Sequence, residues 1–282
     1  MKQNSRRAFL KSTVALSAFP LLSVASEKSN VDSLKFIHVT DSHMDINLPD
    51  SVEAIKKMVT FINKEYPLLD FVLFGGDNYN NNAENGKDSE LFKQILSKLH
   101  CSYYLVRGNK ESSPKDKTHG INTDKFKSLF YKADGLEVKN NDWKLEKKGF
   151  VILGLDSCID EQNNGLYTEE TMKFASETLK RKKPTIILNH HPYTNYWGGT
   201  DEKDLHKYVL GNTAEVQKRL FSYDNLILTL SGHKHIDSVT NIKGTKVIVT
   251  RGFVRPLDEN QYPMRYLEIE ANKIEEKLIY TS

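Results

Sequence analysis

Seven side chains with oxygen or nitrogen donors lie in five short motifs spread across this 282-residue sequence. The motifs, in chain order, are Asp41-Ser42-His43, Gly75-Gly76-Asp77-Asn78, Gly108-Asn109-Lys110-Glu111, Asn189-His190-His191-Pro192 and Gly232-His233-Lys234-His235. Carboxylate, amide oxygen and imidazole suit Mn, Fe, Zn or Ni better than they suit a soft metal. Seven such donors are enough for two metal ions, which together can activate water and stabilise displacement at phosphorus. The motifs therefore predict a metal-dependent hydrolase.

Each motif taken alone also has an ordinary structural explanation. Asp-x-His is common at polar strand ends, Gly-Asp-Asn is a frequent turn, and a lone histidine is more often structural than a ligand. Gly-His-x-His at residues 232–235 is the most indicative of the five. Their order, the strand-like segment before each motif and the completeness of the set together favour a metal site.

The positions of the motifs predict where the donors meet. In an open α/β sheet, ligands gather beyond the carboxyl ends of the strands. The Asp and His of the first motif are two residues apart, so an extended backbone would turn both side chains the same way. The two histidines of the last motif repeat this spacing. The motif glycines at 75, 76, 108 and 232 would permit tight turns and close backbone approach.

Strand-like and helical segments alternate in the first half, with strands predicted at 34–40, 71–74 and 103–106, helices at 51–65 and 88–99, and a loop at 78–87. This alternation predicts βαβ units and a largely parallel sheet. The second half predicts a hairpin at 143–148 and 150–155, helices at 168–182 and 212–221, and strands at 185–188, 226–230, 238–242, 246–250, 265–269 and 274–280. The expected fold is α/β, a four-layer α-β-β-α sandwich of two mixed sheets flanked by helices.

In order and spacing, the motifs resemble the pattern of the calcineurin-like metallophosphoesterase superfamily. That pattern runs Asp-x-His, Gly-Asp-x, Gly-Asn-His-Asp/Glu, a later His and Gly-His-x-His, and the resemblance covers nearly all of residues 33–282, the predicted domain. It implies a β-sandwich flanked by helices, and hydrolysis of phosphoester bonds by a hydroxide that bridges two metal ions. The predicted cofactors are two divalent or trivalent ions of Mn, Fe, Zn or Ni, and the predicted partner is a small phosphoester substrate.

The resemblance assigns the seven donors to two ions that share one carboxylate. The residues carried over are Asp41, His43 and His235 for the first ion, Asn109, His190 and His233 for the second, and Asp77 for the bridge. His190 is preferred to His191 because the family's ligand usually lies two residues before a proline, here Pro192. His191 is then predicted to line the phosphate site. The predicted catalytic residues are Asn109, Lys110 and His191.

Lys110 departs from the family pattern, in which a histidine thought to protonate the leaving oxygen follows Gly-Asn. Three interpretations remain open: a cation that stabilises the transferred phosphoryl group, a general acid, or the mark of a catalytically impaired protein that binds metal or phosphate. The second requires metal ions nearby to lower a lysine pKa that is normally about 10.4. Glu111 keeps the family's acidic residue.

A second departure concerns purple acid phosphatases, a branch of the superfamily with a ligand tyrosine three residues after the bridging aspartate. Asn80 occupies that position, and Tyr79 lies one place too early. No tyrosine-bound Fe(III) site is therefore predicted.

Substrate contacts are predicted at two places. Trp197 lies in an aromatic and polar stretch that would form a lid and stack on a substrate ring, with a plain surface loop as the alternative. Arg251 follows a late strand and is predicted to contact phosphate, because a guanidinium fork matches phosphate oxygens; an ordinary surface arginine is the alternative. Phosphodiesters are weakly favoured over monoesters, with cyclic nucleotides or glycerophosphodiesters as candidates.

Residues 1–25 are predicted to be an export signal. The segment Ser5-Arg6-Arg7-Ala8-Phe9-Leu10-Lys11 resembles a twin-arginine signal, and Ser23-Val24-Ala25 suits signal-peptidase cleavage. The apolar run between them is shorter than the roughly 20 residues that a bilayer requires. We therefore expect the twin-arginine translocation machinery as a partner, a periplasmic or extracellular location, and no permanent membrane anchor. An ordinary secretory signal and an uncleaved anchor are the alternatives.

The charge of the sequence argues against nucleic acid as a partner. The chain has 40 basic and 37 acidic residues, a net charge of +3, and residues 1–25 hold four of the basic and none of the acidic residues. The remainder therefore has a net charge of about −1 and no large basic field. Cys101 and Cys158 flank predicted core strands, so we expect buried thiols, with a disulfide as the alternative.

Overall fold

The apolar segments before the motifs form strands that end at a common edge. The computed structural model describes residues 33–112, 118–194, 209–254, 262–270 and 273–281. Its strands are β1 (Leu34–Val39), β2 (Phe71–Phe74), β3 (Ser102–Leu105), β4 (Glu137–Lys139), β5 (Asp142–Lys147), β6 (Phe150–Gly154), β7 (Thr185–Leu188), β8 (Leu226–Ser231), β9 (Ser238–Ile242), β10 (Thr245–Val249), β11 (Tyr262–Glu270) and β12 (Lys273–Thr281). Its helices are α1 (Pro49–Glu65), α2 (Lys87–Leu96), α3 (Asn109–Ser112), α4 (Thr123–Phe130), α5 (Glu169–Leu179) and α6 (Thr213–Arg219).

The described strands form two mixed sheets. The first has five strands in the order β12-β11-β1-β2-β3, in which β1, β2 and β3 are parallel and β11 and β12 are added antiparallel. The second has seven strands in the order β4-β5-β6-β7-β8-β10-β9, with parallel pairing from β6 through β10 and antiparallel strands at both edges. The parallel strands β1, β2 and β3 of the first sheet confirm the prediction from strand–helix alternation.

Side chains of the central strands alternate between two apolar cores. Ile186 and Leu188 of β7 pack in the core that contains β1, β2, α1 and α2, whereas Ile187 packs with residues of α5 and α6. A period of two is expected of a sheet that is covered on both faces. The layers therefore run helix, sheet, sheet, helix, which is the predicted four-layer sandwich.

Helix α1 shows how local sequence supports this arrangement. Pro49 begins the helix, where its fixed φ is favourable and its missing N–H costs nothing. The predicted apolar stripe is buried, including Val52, Ile55 and Ile62, and Lys64 lies in the last turn, where a cation interacts favourably with the helix dipole.

The apolar pattern does not predict α3, α4 or β4. α3 is a single turn, and the three residues of β4 are all exposed, so neither has an apolar periodicity. α4 buries only Phe126 and Phe130, and it begins after Asn122, whose side chain accepts from the backbone N–H of Lys125 at 2.8 Å.

The predicted export signal, residues 1–25, lies outside the described residues. Among the helices within the described residues, none combines the length and the apolar composition needed to cross a membrane. Cys101 and Cys158 are free, half-buried thiols, so they do not form the alternative disulfide.

Candidate metal centre

The seven predicted donors follow the carboxyl ends of strands in both sheets. β1 leads to Asp41 and His43, β2 to Asp77, β3 to Asn109, β7 to His190, and β8 to His233 and His235. The five-stranded sheet supplies four of these side chains and the seven-stranded sheet supplies three. Their donor atoms meet in two adjoining clusters.

The first cluster contains Asp41, His43 and His235, whose donor atoms lie within 4.8 Å of one another. His43 Nε2 and His235 Nε2 are 3.2 Å apart, and Asp41 Oδ1 lies 3.3 Å from His235 Nε2. Asp41 Oδ2 accepts from Thr40 Oγ1 at 2.8 Å and from the backbone N–H of His233 at 2.9 Å. These two bonds turn Oδ1 toward the imidazoles, and this buried oxygen accepts no well-formed hydrogen bond from the described residues.

The second cluster surrounds His190. Its Nε2 lies 3.1 Å from Asn109 Oδ1, 3.2 Å from His233 Nδ1 and 3.4 Å from Asp77 Oδ1. The other oxygen of Asp77, Oδ2, lies 3.7 Å from His43 Nε2 in the first cluster. The Asp77 carboxylate therefore stands between the two clusters, with one oxygen toward each.

The imidazoles are fixed so that acceptor atoms face one another. His43 Nδ1 donates to Asn80 Oδ1 at 3.0 Å, and His190 Nδ1 donates to the carbonyl oxygen of Gly75 at 2.8 Å. Both partner oxygens can only accept, so in the neutral rings each Nε2 presents a lone pair to its cluster. Converging lone pairs repel unless a cation lies among them. The residues present therefore fit metal ions.

Asn163 orients the amide of Asn109 and also holds His191. Asn109 Nδ2 donates to Asn163 Oδ1 at 3.2 Å, which leaves Asn109 Oδ1 directed at His190. His191 Nε2 donates to the Asn163 carbonyl at 3.2 Å, and Ser157 Oγ lies 2.9 Å from His191 Nδ1. Both ring nitrogens of this buried histidine have protein partners. His191 can therefore make the predicted phosphate contact only if its Nε2 shares or gives up the hydrogen bond to the Asn163 carbonyl.

The charge within the clusters favours a bound cation. Burial raises the pKa of Asp41 and Asp77, but His235 beside Asp41 and His190 beside Asp77 outweigh it, and both carboxyl pKa values lie below their usual range. Burial lowers the pKa of His190, whereas the neighbouring carboxylates raise it to a net value of about 9. The cluster therefore attracts positive charge, which a proton supplies when no metal ion is bound.

The backbone at five of the seven donors is left-handed. The φ angles are +53° at Asp41, +43° at His43, +50° at Asp77, +67° at His233 and +57° at His235. The expectation that an extended backbone turns the paired side chains the same way is therefore wrong, although the side chains do converge. Non-glycine residues in this region cost about 1–3 kcal/mol each and persist only where their surroundings hold them. Hydrogen bonds from Asp41 N to the Gly76 carbonyl (3.0 Å) and from His43 N to the Asp77 carbonyl (2.9 Å) help to hold the first pair.

Two motif glycines allow the close backbone approach that the sequence predicts. A Cβ at Gly108 would lie 2.2 Å from the backbone nitrogen of Asp77. A Cβ at Gly232 would lie 1.9 Å from Thr40 Oγ1 and 2.3 Å from Asp41 Oδ2. Any side chain at either position would therefore displace a predicted donor.

Glu111 connects the motif that contains Asp77 to the motif that contains Gly108 through hydrogen bonds. Its Oε1 accepts from the backbone N–H groups of Asn78 (2.7 Å) and Tyr79 (3.2 Å), and its Oε2 accepts from those of Asp77 (3.0 Å) and Gly108 (2.6 Å). Burial and the Asp77 carboxylate raise the pKa of Glu111 to about 7, against the lowering effect of the N–H donors. Four donors leave no acceptor for a carboxylic proton, so the geometry fits the ionised form. The sequence identifies this glutamate only through the family resemblance. Its four hydrogen bonds to backbone N–H groups could not be predicted, because most of their donors become neighbours only in the folded chain.

The two positions that depart from the family pattern also lie at the site. Lys110 is half-buried, and its backbone N–H donates to Asp77 Oδ1 at 2.7 Å. Asn80 bonds to His43, as described above. Tyr79 is buried in the apolar core against Phe92 and Phe130.

Of the two predicted substrate contacts, only Arg251 can be placed. It is buried, with 4% of its surface exposed, in the segment that runs beside the first cluster. In that segment, a Cβ at Gly252 would lie 2.7 Å from His235 Cγ, and the backbone N–H of Phe253 donates to the Thr40 carbonyl at 2.9 Å. Trp197 lies outside the described residues.

A two-sheet sandwich that gathers carboxylate, amide and imidazole donors at its strand ends defines a class of metal-binding α/β proteins. Residues 34–237 match the family model described as calcineurin-like phosphoesterase. The chain belongs to this family of phosphoester hydrolases, as its motifs predict.

Two relatives are similar to this chain over most of its length. A probable cyclic nucleotide phosphodiesterase of Coxiella burnetii is 23% identical over 179 residues, which cover 62% of this chain and 64% of that protein, less than two thirds of its length. A probable cyclic nucleotide phosphodiesterase of Fibrobacter succinogenes is 25% identical over 239 residues, which cover 80% of this chain and 82% of that protein.

Solved structures share the fold at low sequence identity. A dimetal phosphatase from Danio rerio has a TM-score of 0.64 at 14% identity, covering 88% of this chain and 99% of its own. The purple acid phosphatase PPD1 from yellow lupin seeds has a TM-score of 0.61 at 14% identity, covering 88% of this chain and 52% of its own. These similarities establish the sandwich architecture.

Proposed function

We propose that this chain hydrolyses phosphoesters with two metal ions. One ion would be held by the cluster of Asp41, His43 and His235, and the other by Asn109, His190 and His233, with Asp77 contacting both. The observation that carries the proposal is the orientation of Asp77, whose Oδ2 is 3.7 Å from His43 Nε2 and whose Oδ1 is 3.4 Å from His190 Nε2. A carboxylate with one oxygen in each of two donor clusters is suited to bridging two cations.

Two bound cations would neutralise charge on the phosphoryl oxygens and activate water as the nucleophile. The chain orients the donors for this role, since Asn80 and the Gly75 carbonyl fix the lone pairs of His43 and His190. In the reaction, the water oxygen bonds to phosphorus, the ester P–O bond breaks, and a proton passes to the leaving oxygen. No protein side chain has to become the nucleophile.

Lys110 is proposed to stabilise the phosphoryl group as a cation. Its backbone N–H bonds to Asp77, which places the residue at the second cluster. The same replacement of histidine by lysine supports a second candidate function, a catalytically impaired protein that binds metal or phosphate. His191 and Arg251, both buried near the clusters, are proposed to face the phosphate, and Trp197 is proposed to contact the organic part of the substrate.

Phosphodiesters are the proposed substrates. The two relatives described above are named as probable cyclic nucleotide phosphodiesterases, which supports a diester and makes cyclic nucleotides the first candidates to assay. Turnover of bis-p-nitrophenyl phosphate should therefore exceed turnover of p-nitrophenyl phosphate under the same metal loading.

Asp77→Asn tests the two-ion proposal, with Asp134→Asn as its control. Both changes remove one negative charge at nearly constant volume, but Asp134 is exposed and remote from the seven donors in sequence. We expect Asp77→Asn to lose most of the bound metal and to slow diester hydrolysis about 100-fold or more, since even outer-shell changes cost 10–100-fold. Metal content measured by elemental analysis should fall from about two ions per chain.

The outcomes separate the candidates. Unchanged metal content in Asp77→Asn would show that the donors are assigned wrongly. About two bound ions without turnover of any phosphoester, across Mn, Fe, Zn and Ni, would favour the binding protein. One ion per chain with full activity would refute the two-ion arrangement while leaving the hydrolase.

We also propose export by the twin-arginine route, followed by periplasmic or extracellular function. The proposal rests on the Arg6-Arg7 pair and the apolar run after it. Replacing both arginines with lysine should retain the protein in the cytoplasm, whereas an ordinary secretory signal would tolerate the change. Cell fractionation and immunoblotting distinguish the two results.

A further inference from the structure

A cavity of about 400 Å³ lies between the start of α1 and the segment at Phe253 and Val254, and Ser42 also lines it. Its apolar walls are formed by Leu48, Pro49, Ala54, Phe253, Val254 and Tyr262. This volume lies within the range of roughly 300–1,000 Å³ that is usual for small-molecule sites. The cavity is therefore large enough for the organic group of a small ester.

The backbone that frames the first cluster also forms a wall of the cavity. Ser42 lines the cavity and lies between the donors Asp41 and His43. The backbone N–H of Val254, another lining residue, donates to the Asp41 carbonyl at 3.2 Å. The cavity and the first donor cluster therefore share this stretch of backbone.

The described lining favours a flat, uncharged group. The rings of Phe253 and Tyr262 are stacked, with centroids 4.9 Å apart and an angle of 25° between their planes. Phe253 is 1% exposed, so packing holds its ring in place. Asp50 is the one charged side chain among the described lining residues, and a carboxylate disfavours a second anionic group.

We propose that this cavity receives the organic group of the phosphoester and that this group is a flat, neutral ring. The proposal rests on the proposed function, because it requires the phosphate to lie at the donor clusters. It narrows the substrate class to esters of aryl or heterocyclic alcohols, or of sugars that carry such a ring, and it disfavours esters with a second phosphate.

The test compares phenylphosphonate with methylphosphonate, two ligands that differ only in the organic group and that contain no hydrolysable ester. Their dissociation constants for the metal-loaded protein are measured by calorimetry, so the readout does not depend on turnover. We expect the wild-type protein to bind phenylphosphonate roughly tenfold more tightly, because the ring leaves water for an apolar wall.

Two cavity variants and one control decide the result. Ala54→Met fills the cavity from α1 with a residue that is compatible with a helix, and should reduce the tenfold preference to about one. Leu48→Ala removes part of the wall at a residue that is 55% exposed, and should reduce the preference a few-fold without affecting folding. Leu68→Ala, at a leucine that is 79% exposed, is the matched control and should leave the preference unchanged.

Failure of this proposal can be told from failure of the proposed function. If both phosphonates bind equally to the wild-type protein, or if both cavity variants keep the wild-type preference, the cavity proposal is wrong and the phosphate site stands. If the metal-loaded protein binds neither phosphonate, the phosphate site itself is wrong, and the cavity proposal falls with it.

Discussion

Replacing Glu111 with glutamine should loosen the turns that carry Asp77 and Asn109. The carboxylate accepts four backbone N–H groups, two on each oxygen, at 2.6–3.2 Å. A glutamine amide has one accepting oxygen, so it can keep two of these bonds. Its NH₂ group would face the other two N–H donors, which would then be buried without an acceptor.

The magnitude follows from those two donors. Leaving a buried donor unsatisfied costs about 1–3 kcal/mol, so Glu111→Gln should lower the free energy of unfolding by roughly 2–6 kcal/mol. Urea unfolding in the presence of a chelator measures this change without a contribution from bound metal. Glu84→Gln makes the same substitution at an exposed position, and should change the free energy by no more than about 0.5 kcal/mol.

Metal binding supplies a second readout. Because Glu111 joins the turn that begins at Asp77 to Gly108, the residue before Asn109, Glu111→Gln should weaken metal binding about 10–100-fold, as outer-shell changes do. If Glu111→Gln unfolds the protein outright, Glu111→Asp keeps the charge on a shorter side chain and should show a partial loss. A Glu111→Gln protein with the stability and metal affinity of the wild type would refute this account of the carboxylate.

Three further predictions concern other parts of the structure. Gly232→Ala should lose metal and about 1–3 kcal/mol of stability in urea unfolding, because its Cβ would lie 1.9 Å from Thr40 Oγ1; Gly244→Ala, whose Cβ would meet nothing within 4 Å, should keep its metal. Lys110→His should preserve or raise turnover of esters with poor leaving groups relative to p-nitrophenyl esters, and a large loss on both would favour a specific cationic role for the lysine. Burial raises the pKa of Asp142 to about 7, so the folded state holds this proton more tightly than the unfolded chain does, and stability is lost as the pH rises toward 7. Asp142→Asn should therefore gain stability relative to wild type between about pH 4 and 7, by roughly 4 kcal/mol at most; equal melting-temperature differences at pH 5 and pH 8, with chelator present, would contradict this.

The strands and the convergence of the motifs can be predicted from the sequence because both depend on local apolar pattern. Phe71–Phe74 and Thr185–Leu188 are short apolar runs that end at a motif, and each forms a strand with the predicted bounds. Strand ends in a parallel sheet meet at one edge, so the convergence of the motifs follows from topology. α4 is not predicted from the sequence, because its two buried phenylalanines are too few to establish a helical apolar period.

The arrangement around the donors depends on contacts between residues far apart in the sequence. Asn80 fixes His43 across 37 residues, and Asn163 orients Asn109 across 54. No local pattern marks these asparagines. The left-handed backbone at Asp41 and His43 is likewise held by carbonyls of the Gly75–Asp77 turn, so the two-residue spacing alone leads to the wrong conformation.

Because each donor cluster draws side chains from both sheets, an ion bound in either one would act as a cross-link between them. His43 and His235 are 192 residues apart in the sequence, and His190 and Asn109 are 81 apart. Cys101 and Cys158 are free, so they do not supply a covalent link of this kind. An ion that binds only the folded chain also stabilises it by mass action. Removal of metal should therefore weaken the contact between the two sheets at the donor clusters before the rest of the fold unfolds. A protease should then cut the metal-free protein at residues that are protected in the metal-loaded protein.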